Sequence, residues 1–494
     1  MKKNIFLTIG IICFSFFGID AQSDFDAWRK QAKQEFDDFK ANSEQEFRDF
    51  RAKANAEFAE FMGQSWEEFR ASQEIPAPKS PDPVKPPVVE PEKKPTADPL
   101  PFGKITPVPT PAPQPQPIAP IQTPAPTSET PIPEPIKTGF PFLFYHTECK
   151  VSLDDARRFS LRDASEESVA KAWNTLSDKK YDALISDCLR LRDQLNLCDW
   201  GYMQLLKTIS EKCWDKDSNE AVLLQMFILT QSGYKVRIAR TNNRLALLIP
   251  FRETIYEYVY LNIGGVKYYV MNKELKGQAF YIYNQEFPKE QYFSWQTAQP
   301  KLAVQLTKSK TFASVRYPEI NASVQTNQNL IDFYNSYPLS SEWNVYVRAG
   351  LSNTVKQSLY PVLQRAITGK SKTEAAEMLL SFLQTTFDYQ TDEQQFGYER
   401  PFFADENFFY PYNDCEDRAI LYSILVRELL DLEVVLLHYP NHLATAVHFP
   451  ENVTGDFLTI DGKKFVVCDP TYIGACIGMA MDDCKHAQAR VVKL

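Results

Sequence analysis

A cysteine, a histidine and an aspartate follow one another within residues 413–471, and this segment restricts the possible folds more than any other. Cys415 opens an apolar stretch with helical spacing, His442 opens an alternating stretch after a Pro-Asn turn, and Asp469 follows the next such stretch. A nucleophile, a base and an orienting acid are the parts of a catalytic triad. The segment therefore predicts a fold that brings together three residues remote in sequence.

A fainter copy of this segment lies about 198 residues upstream, where Asp217, Arg244 and Asn272 take the places of the cysteine, the histidine and the aspartate. Neighbouring residues also match, in the pairs Ala221/Ala419, Leu223/Leu421, Val236/Val434, Asn243/Asn441, Leu245/Leu443, Ala246/Ala444 and Phe251/Phe449. A duplication explains these matches better than the alternative, a chance similarity of helix–strand segments. Because aspartate forms no thioester and arginine stays charged, we expect the upstream copy to be inactive.

Hydrophobic periodicity predicts the elements of both copies. In the downstream copy we expect helices at 353–367, 373–386 and 415–430 and strands at 434–437 and 443–449. In the upstream copy we expect helical stretches at 168–195, 201–213 and 220–232 and strands at 236–239 and 245–249. The alternating residues of the stretch 291–340 predict connecting strands between the copies.

The N-terminus has the pattern of a secretory signal peptide over residues 1–21. Two lysines precede an apolar run from Ile5 to Ile19, and the small residue Ala21 follows. The run is short for a membrane span, and no later run reaches the roughly 20 residues that a spanning helix needs. Lipid attachment at Cys13 is less consistent with the sequence because the bulky Ile12 precedes it. We expect a bacterial protein exported to the periplasm, the cell envelope or the medium.

Aromatic residues recur every eleven positions after the signal peptide, as Phe25/Trp28, Phe36/Phe39, Phe47/Phe50 and Phe58/Phe61. Eleven residues in three turns give a nearly straight stripe along a helix. We therefore predict a helix over residues 23–74 that forms a homo-oligomer as a coiled coil. The alternatives are a helix that lies on a membrane or envelope surface and one that packs back onto its own domain.

Residues 75–138 are dominated by proline and have almost no apolar periodicity. Such a composition does not form a packed core. We predict a linker that separates the N-terminal helix from two globular parts, at 139–290 and 341–494.

Charge and cysteine content limit the partners and cofactors. The formal net charge is −9, and removing Lys2, Lys3 and Asp20 with the signal peptide changes it to −9 − 2 + 1 = −10. Since no basic stripe with interleaved aromatic residues occurs, a nucleic-acid partner is disfavoured. The absence of a CxxC pair and of an HExxH helix argues against a metal site, and we expect no cofactor. Pairing among the eight remaining cysteines stays open.

The chemistry of the triad explains each of its positions. A cysteine at the first turn of a helix lies at the positive end of the helix dipole, which favours the thiolate. His442 would take the thiol proton and return it to the leaving amine, and Asp469 would orient the imidazole. His438 and His448 compete for the role of base, but His442 lies at the turn and corresponds to Arg244 upstream. We expect a supporting network around the helix start, made of Asn413, Asp414, Asp417 and Arg418.

At these residues the chain resembles the transglutaminase-like cysteine protease superfamily, specifically its bacterial members in which an Asp-Cys-x-Asp-Arg/Lys motif opens the core helix. The resemblance covers about residues 374–472 and includes Phe387-Asp-Tyr and Phe403-Ala-Asp-Glu-Asn. It implies a papain-like core, with the cysteine on a helix packed against an antiparallel sheet that carries the histidine and the aspartate. Cross-linking members usually have tryptophans where Glu416 and Leu443-Ala444 stand here, so the resemblance favours hydrolysis over acyl transfer.

The sequence thus predicts an α+β protein with a papain-like or transglutaminase-like catalytic unit, preceded by a degenerate repeat of that unit, an amphipathic helix and a linker. The expected function is that of an exported thiol peptidase or amidase that acts on a peptide or amide substrate through a thioacyl intermediate. A non-catalytic binding or scaffold protein of the cell envelope is the first alternative. Acyl transfer is the second.

Overall fold

A computed structural model of the protein describes residues 20–77, 105–106 and 139–494, except for 154–157, 179–180, 252, 276–278, 284, 289, 295–298 and 341. The predicted signal peptide, up to position 19, and most of the predicted linker lie outside the described residues. The chain divides into two compact units, one ending at Glu60 and one running from Phe61 to Leu494. The protein is of the α+β class, as predicted.

The helices are α1 (Asp20–Met62), α2 (Glu166–Leu176), α3 (Asp182–Gln194), α4 (Asp199–Cys213), α5 (Asn219–Gln231), α6 (Gln328–Tyr334), α7 (Trp343–Ala349), α8 (Asn353–Ile367), α9 (Lys372–Thr386), α10 (Asp392–Gln395), α11 (Cys415–Leu430) and α12 (Asp482–His486), with a 3-10 helix at Ala404–Phe408. The strands of the first half are β1 (Glu67–Arg70), β2 (Ile105–Thr106), β3 (Phe140–Phe144), β4 (Thr147–Val151), β5 (Arg237–Thr241), β6 (Arg244–Pro250), β7 (Tyr260–Ile263), β8 (Val266–Val270) and β9 (Ala279–Ile282). Those that follow are β10 (Lys310–Ala313), β11 (Asn321–Val324), β12 (Asp388–Tyr389), β13 (Tyr412–Asn413), β14 (Glu433–Tyr439), β15 (His442–His448), β16 (Phe457–Ile460), β17 (Lys463–Cys468) and β18 (Ala489–Lys493).

Helix α1 is continuous, but it ends at Met62 and not at residue 74 as the aromatic period predicted. Gly63 and Ser65, both weak helix formers, follow its last turn, and the indole N–H of Trp66 donates to the Met62 carbonyl at 2.9 Å. The next aromatic residue of the series, Phe69, lies in strand β1, where it is opposite Phe280 of β9. Pairing with a sheet edge therefore replaces the last predicted turns of helix.

Two six-stranded sheets form the framework of the unit from Phe61 to Leu494. Their strand orders are β1-β9-β5-β6-β8-β7 and β2-β18-β14-β15-β17-β16. Helix α5 packs on β6 of the first sheet, and helix α11 packs on β14 and β15 of the second. The two orders correspond strand for strand, in the pairs β9/β18, β5/β14, β6/β15, β8/β17 and β7/β16. In each sheet the strand next to β9 or β18 at the edge, β1 or β2, comes from a segment that precedes residue 139.

The registers of the two sheets also correspond. Arg237 pairs with Leu248 in the first sheet, and Val435 pairs with Ala446 in the second, so both members differ by 198. Tyr260 pairs with Tyr269, and Phe457 pairs with Val466, so both members here differ by 197. The offset therefore changes from 198 to 197 in the connection between β6 and β7, which is one residue longer than the connection between β15 and β16.

Both central helices are buried almost completely, which explains why they are apolar on all sides except in the charged first turn of α11. In α5 every residue from Ala221 to Thr230 is buried, and in α11 every residue from Cys415 to Val426 is buried. α8 and α11 have the predicted bounds. The stretch predicted as one helix at 168–195 is broken into α2 and α3 around a turn at Ser177.

The connecting region contains less strand than predicted. Strands β10 and β11 form one hairpin, whereas residues 302–306 contribute only an isolated bridge between Leu306 and Asn327. The short helix α6 follows, with Asn327 as its N-cap. In the part of the chain that the structure describes, no helix is both long and apolar enough to cross a membrane.

Candidate active site

Cys415 is the first residue of α11, and its side chain is only 7% exposed. Its thiol donates to the Glu416 carboxylate, with 3.0 Å between Sγ and Oε2. The backbone N–H of Leu443, the second residue of β15, lies near the sulfur and acts to lower the pKa of the thiol. The sulfur therefore lies against the start of the strand on which His442 is the first residue.

His442 and Asp469 form a direct pair at the same end of the sheet, with 2.8 Å between Nε2 and Oδ2. The backbone N–H of Thr471 donates to Oδ1 of Asp469 at 2.9 Å, so both carboxylate oxygens have partners. The imidazole also stacks on the ring of Tyr439, at 6.3 Å between centroids. These contacts fix the ring and leave Nδ1 as the nitrogen free to exchange a proton with a thiol.

The structure thus joins two of the three predicted residues directly and places the third beside them. Among the described contacts there is no hydrogen bond between the Cys415 sulfur and the His442 ring; the connection runs through the backbone of Leu443. A short movement of either side chain would be needed for proton transfer.

The two competing histidines lie elsewhere. His448 is at the other end of β15, where its Nδ1 is 2.9 Å from the carbonyl oxygen of Lys464. His438 packs its ring against the edge of Trp343 at 5.4 Å, and burial lowers its pKa below the usual value. Of these three histidines, only His442 has a carboxylate partner.

The loop that carries Asp469 is held by Gln384 on α9, a residue that the sequence analysis did not identify. The buried side-chain amide of Gln384 donates to the carbonyl oxygens of Asp469, Tyr472 and Ala475, at 3.1, 2.9 and 3.0 Å. Its own oxygen accepts from the Gly474 N–H at 3.3 Å. These partners lie 85 to 91 residues from Gln384, which is why no local pattern indicated them.

The predicted network at the start of α11 is present. Arg418 is fully buried, and its Nε donates to Oδ1 of Asn413 at 2.8 Å while Nη2 donates to the Phe387 carbonyl at 2.7 Å. Asp417 accepts from the backbone N–H groups of Phe402, at 2.8 Å, and of Asp414, at 3.3 Å. Burial lowers the pKa of Arg418 to about 10, so the guanidinium stays charged at neutral pH.

A group of carboxyls surrounds this network, and two of its members were not predicted. Carboxyl oxygens of Asp392, Asp414 and Asp417, and likewise of Asp392, Glu399 and Glu416, lie within 4.8 Å of one another and could hold a cation. Burial first, and then the neighbouring acids, raise the pKa values of Asp392, Asp414 and Glu416 far above their usual range. Either shared protons or a bound cation would balance the charge of this cluster.

The same surroundings affect the thiol, and in a direction opposite to the expectation from the helix dipole. Burial first, then the carboxyls of Glu416 and Asp414, raise the pKa of Cys415 well above its usual value, and the Leu443 N–H opposes them. These effects favour the protonated thiol over the thiolate. The first turn of a helix favours a thiolate, but the acidic residues on both sides of Cys415 outweigh this effect.

The main cavity of the unit lies away from this site. It has a volume of about 750 Å³ and is lined by residues such as Ile424, Arg427 and Asp431, at the C-terminal end of α11. Cys415 opens the same helix, and sixteen residues at 1.5 Å each separate the two ends by about 24 Å. This cavity therefore gives the Cys415 sulfur no access to solvent.

The upstream counterparts of the triad also lie close together. Arg244, the first residue of β6, donates from Nη2 to the backbone carbonyl of Asp217 at 2.7 Å. Asp217 has a positive φ of 55° and precedes α5, which begins two residues later than α11 does in the corresponding position. Asn272 accepts from the Leu247 N–H at 3.0 Å instead of contacting the arginine.

Neither a protein family model, nor a curated protein, nor a solved structure matches this chain.

Proposed function

We propose that the protein is an exported thiol-dependent peptidase or amidase of the transglutaminase-like superfamily, acting through Cys415, His442 and Asp469. One observation carries the proposal. The Asp469 carboxylate and the His442 imidazole form a direct pair at one end of the second sheet, and the Cys415 sulfur lies near the backbone N–H of Leu443, the residue after His442. Cys415 and His442, which the sequence separates by 27 positions, therefore lie at the same end of the sheet.

We further propose that the second half is a papain-like unit and that the first half is a degenerate repeat of it. The common strand order and the common offsets of 198 and 197 residues support it. The contact between Arg244 and Asp217 supports it as well, because these residues correspond to His442 and Cys415. The upstream repeat carries no nucleophile and serves as packing or as a binding surface.

In the proposed reaction, Nδ1 of His442 takes the thiol proton, and the sulfur attacks the carbonyl carbon of an amide. The tetrahedral oxyanion is stabilised by backbone N–H groups at the first turn of α11. The imidazolium, held by Asp469, then gives its proton to the leaving amine as the C–N bond breaks. Water, deprotonated by His442, attacks the thioester and releases the acid and the thiol. The raised pKa of Cys415 means that a substrate or a side-chain movement must displace Glu416 from the sulfur before this proton transfer.

A second candidate function is that of a non-catalytic envelope scaffold. The burial of the thiol, its acidic neighbours and the position of the main cavity at the far end of α11 favour it. Acyl transfer to an amine is a third candidate and would use the same thioester.

The test is hydrolysis of a fluorogenic protein substrate such as labelled casein by the purified chain. Cys415→Ala and His442→Ala should each abolish turnover, whereas Cys476→Ala, which changes a partly exposed thiol, should leave it unaltered. Equal turnover by all four proteins would end the proposal. Incorporation of an added primary amine would assign acyl transfer instead. Alkylation of Cys415 only after denaturation, together with no turnover, would assign the scaffold.

A further inference from the structure

The segment 302–308, between the two halves of the unit, is extended and has one open edge. Its odd-numbered residues turn their backbone groups inward, toward neighbouring parts of the chain. Three inward N–H groups donate, from Ala303 to the Thr147 hydroxyl at 2.7 Å, from Gln305 to Oδ1 of Asn327 at 2.9 Å and from Thr307 to the Thr326 carbonyl at 2.9 Å. The carbonyl of Gln305 accepts from the Gln328 N–H at 2.8 Å. One side of the segment is therefore occupied.

The other side of the segment has no partner among the described residues. Successive residues of an extended chain turn their backbone groups to opposite sides, so those of Val304 and Leu306 point outward. Neither residue makes a backbone hydrogen bond to any described residue. Their side chains are 65% and 53% exposed, and Gln305 between them is exposed as well. Two unpaired backbone positions thus coincide with two exposed apolar side chains.

The centre of this edge lacks the features that usually protect one. Unpaired strand edges invite pairing with another chain, and proteins protect them with lysines, prolines and bulges. Here Pro300 and Lys301 precede the segment and Lys308 ends it. A bulge follows, because the step from Leu306 to Lys310 is four residues while the step between their partners on the opposite strand is three. The three residues at the centre carry neither charge nor proline.

A second copy of the same segment fits this centre in one antiparallel register. When Gln305 faces its own counterpart, Val304 of each copy lies opposite Leu306 of the other. Both residues point outward, so each such pair exchanges both of its backbone hydrogen bonds. The apolar side chains of the two pairs then share one face, and Lys308 lies opposite Leu302 of the other copy. A pairing centred on Leu306 would instead place Lys308 opposite Val304.

We propose that residues 302–308 form a self-association edge, at which two copies of this chain pair as antiparallel strands about Gln305. Pairing removes Val304 and Leu306 from water and gives their backbone groups partners. The contact is much smaller than the roughly 1,200–2,000 Å² of a stable interface, so free copies pair only briefly. The inference uses neither Cys415 nor the proposed reaction.

A disulfide trap detects such brief pairing. In the proposed register the two copies of Gln305 form a pair without mutual hydrogen bonds, whose Cα atoms are about 4.5 Å apart and within reach of a disulfide. Under mild oxidation we expect the Gln305→Cys chain to form a linked dimer roughly tenfold faster than Ser323→Cys, since only the first thiol faces its counterpart. Ser323 is an exposed residue of the neighbouring strand β11. Mass spectrometry of the linked peptide identifies the bond.

A charge-bearing variant tests whether strand pairing brings the thiols together. Val304→Lys/Leu306→Lys, added to the Gln305→Cys chain, places like charges opposite one another and should return the rate to that of Ser323→Cys. Both side chains are exposed, so these changes leave the core unaltered. A rate that the two lysines leave unchanged would show that the thiols meet by collision and would overturn the proposal.

Other results would also overturn it. Equal rates for Gln305→Cys and Ser323→Cys would show that the edge does not pair. Dimers linked only through the partly exposed Cys198 or Cys476 would show the same. A rate that falls as unlabelled casein is added would assign the edge to an extended segment of another protein. Adding Cys415→Ala to the trap should leave the rate unaltered, so the outcome is independent of turnover.

Discussion

At the scale of single residues, Glu416 influences the protonation of the Cys415 thiol. Its carboxyl accepts from the Cys415 thiol at 3.0 Å and is, after burial, the first cause of the raised thiol pKa. The sequence drew attention to Glu416 only because a tryptophan is usual there. Its carboxyl favours the protonated thiol, and we expect a substrate that displaces Glu416 to lower the pKa of Cys415.

Replacing Glu416 by glutamine tests this role. The amide keeps the shape of the side chain and never carries the negative charge that Glu416 acquires on losing its proton, so the pKa of Cys415 should fall. A fall of about one unit would shift the pH profile of alkylation by iodoacetamide about one unit to lower pH and would raise the rate roughly tenfold on the rising limb of that profile. The Cys415→Ala protein gives the background labelling of the other thiols. An unchanged alkylation rate would show that burial alone keeps the thiol protonated.

Gln384 shows how one element positions a residue on another. From α9 its amide holds three carbonyls of the loop after β17, and that loop orients Asp469. Gln384→Glu has nearly the same shape but places a carboxylate against those carbonyls. We expect a loss of about 1–3 kcal/mol in the free energy of unfolding, measured by urea denaturation.

Turnover by the Gln384→Glu protein shows whether Gln384 positions Asp469 for catalysis or only stabilises the fold. Because a displaced Asp469 no longer fixes the imidazole, kcat should fall more than KM rises, and the acid limb of the pH profile should shift. Gln364→Glu, on the neighbouring helix α8, is the matched control and should alter neither value. A variant that loses stability but keeps the kcat and the pH profile of the parent would limit Gln384 to a structural role.

Asp405 on the 3-10 helix makes the start of α8 sensitive to pH. It accepts from the Ser352 backbone N–H at 2.8 Å and also contacts the Ser352 hydroxyl, and burial raises its pKa to about 6. Between about pH 4 and pH 6 the folded protein holds a proton that the unfolded chain has released. The stabilisation from this proton is therefore fully present below about pH 4 and is lost as the pH rises through 6.

Asp405→Asn removes this titration while keeping an acceptor for Ser352. The stability of the variant relative to the parent should rise by about 2 kcal/mol between pH 4 and pH 6, out of about 3 kcal/mol over the whole titration, since one pKa unit corresponds to 1.36 kcal/mol. Unfolding by urea at several pH values measures the difference. Asp388→Asn, at an exposed position, should give a constant difference, and the same constancy for Asp405→Asn would contradict the assignment.

The elements explain how far the sequence could predict the fold. α8 and α11 were predicted to the residue because each begins behind a capping residue and keeps its apolar period throughout. β1 and β2 were not predicted, since short segments become strands only when a sheet edge pairs with them. Asp392, on the short helix α10, and Glu399, in the loop after it, joined the site from a segment whose sequence carries no period. Contacts of this kind depend on tertiary packing, which local spacing does not encode.

At the scale of the whole molecule, the two halves use one architecture differently. The first half has an arginine against a carbonyl where the second has a histidine against an acid. Asp217 takes the place of Cys415 in the first half, and α5 begins two residues later in its half than α11 does. The second half keeps an ionisable site at the start of its buried central helix.

The N-terminal helix carries the proposal that the chain forms a homo-oligomer. Phe47 and Phe50 of α1 are 52% and 42% exposed, and rings three residues apart lie on one face of a helix. Two exposed rings in a regular eleven-residue series are costly in water and would be buried in a nearly straight coiled coil. We expect the full chain to sediment as an oligomer, and Phe47→Ala/Phe50→Ala to sediment as a monomer. Lys53→Ala/Glu57→Ala removes an exposed ion pair of the same helix and should leave the oligomer intact. Parent and phenylalanine variant sedimenting alike would contradict self-association through this face.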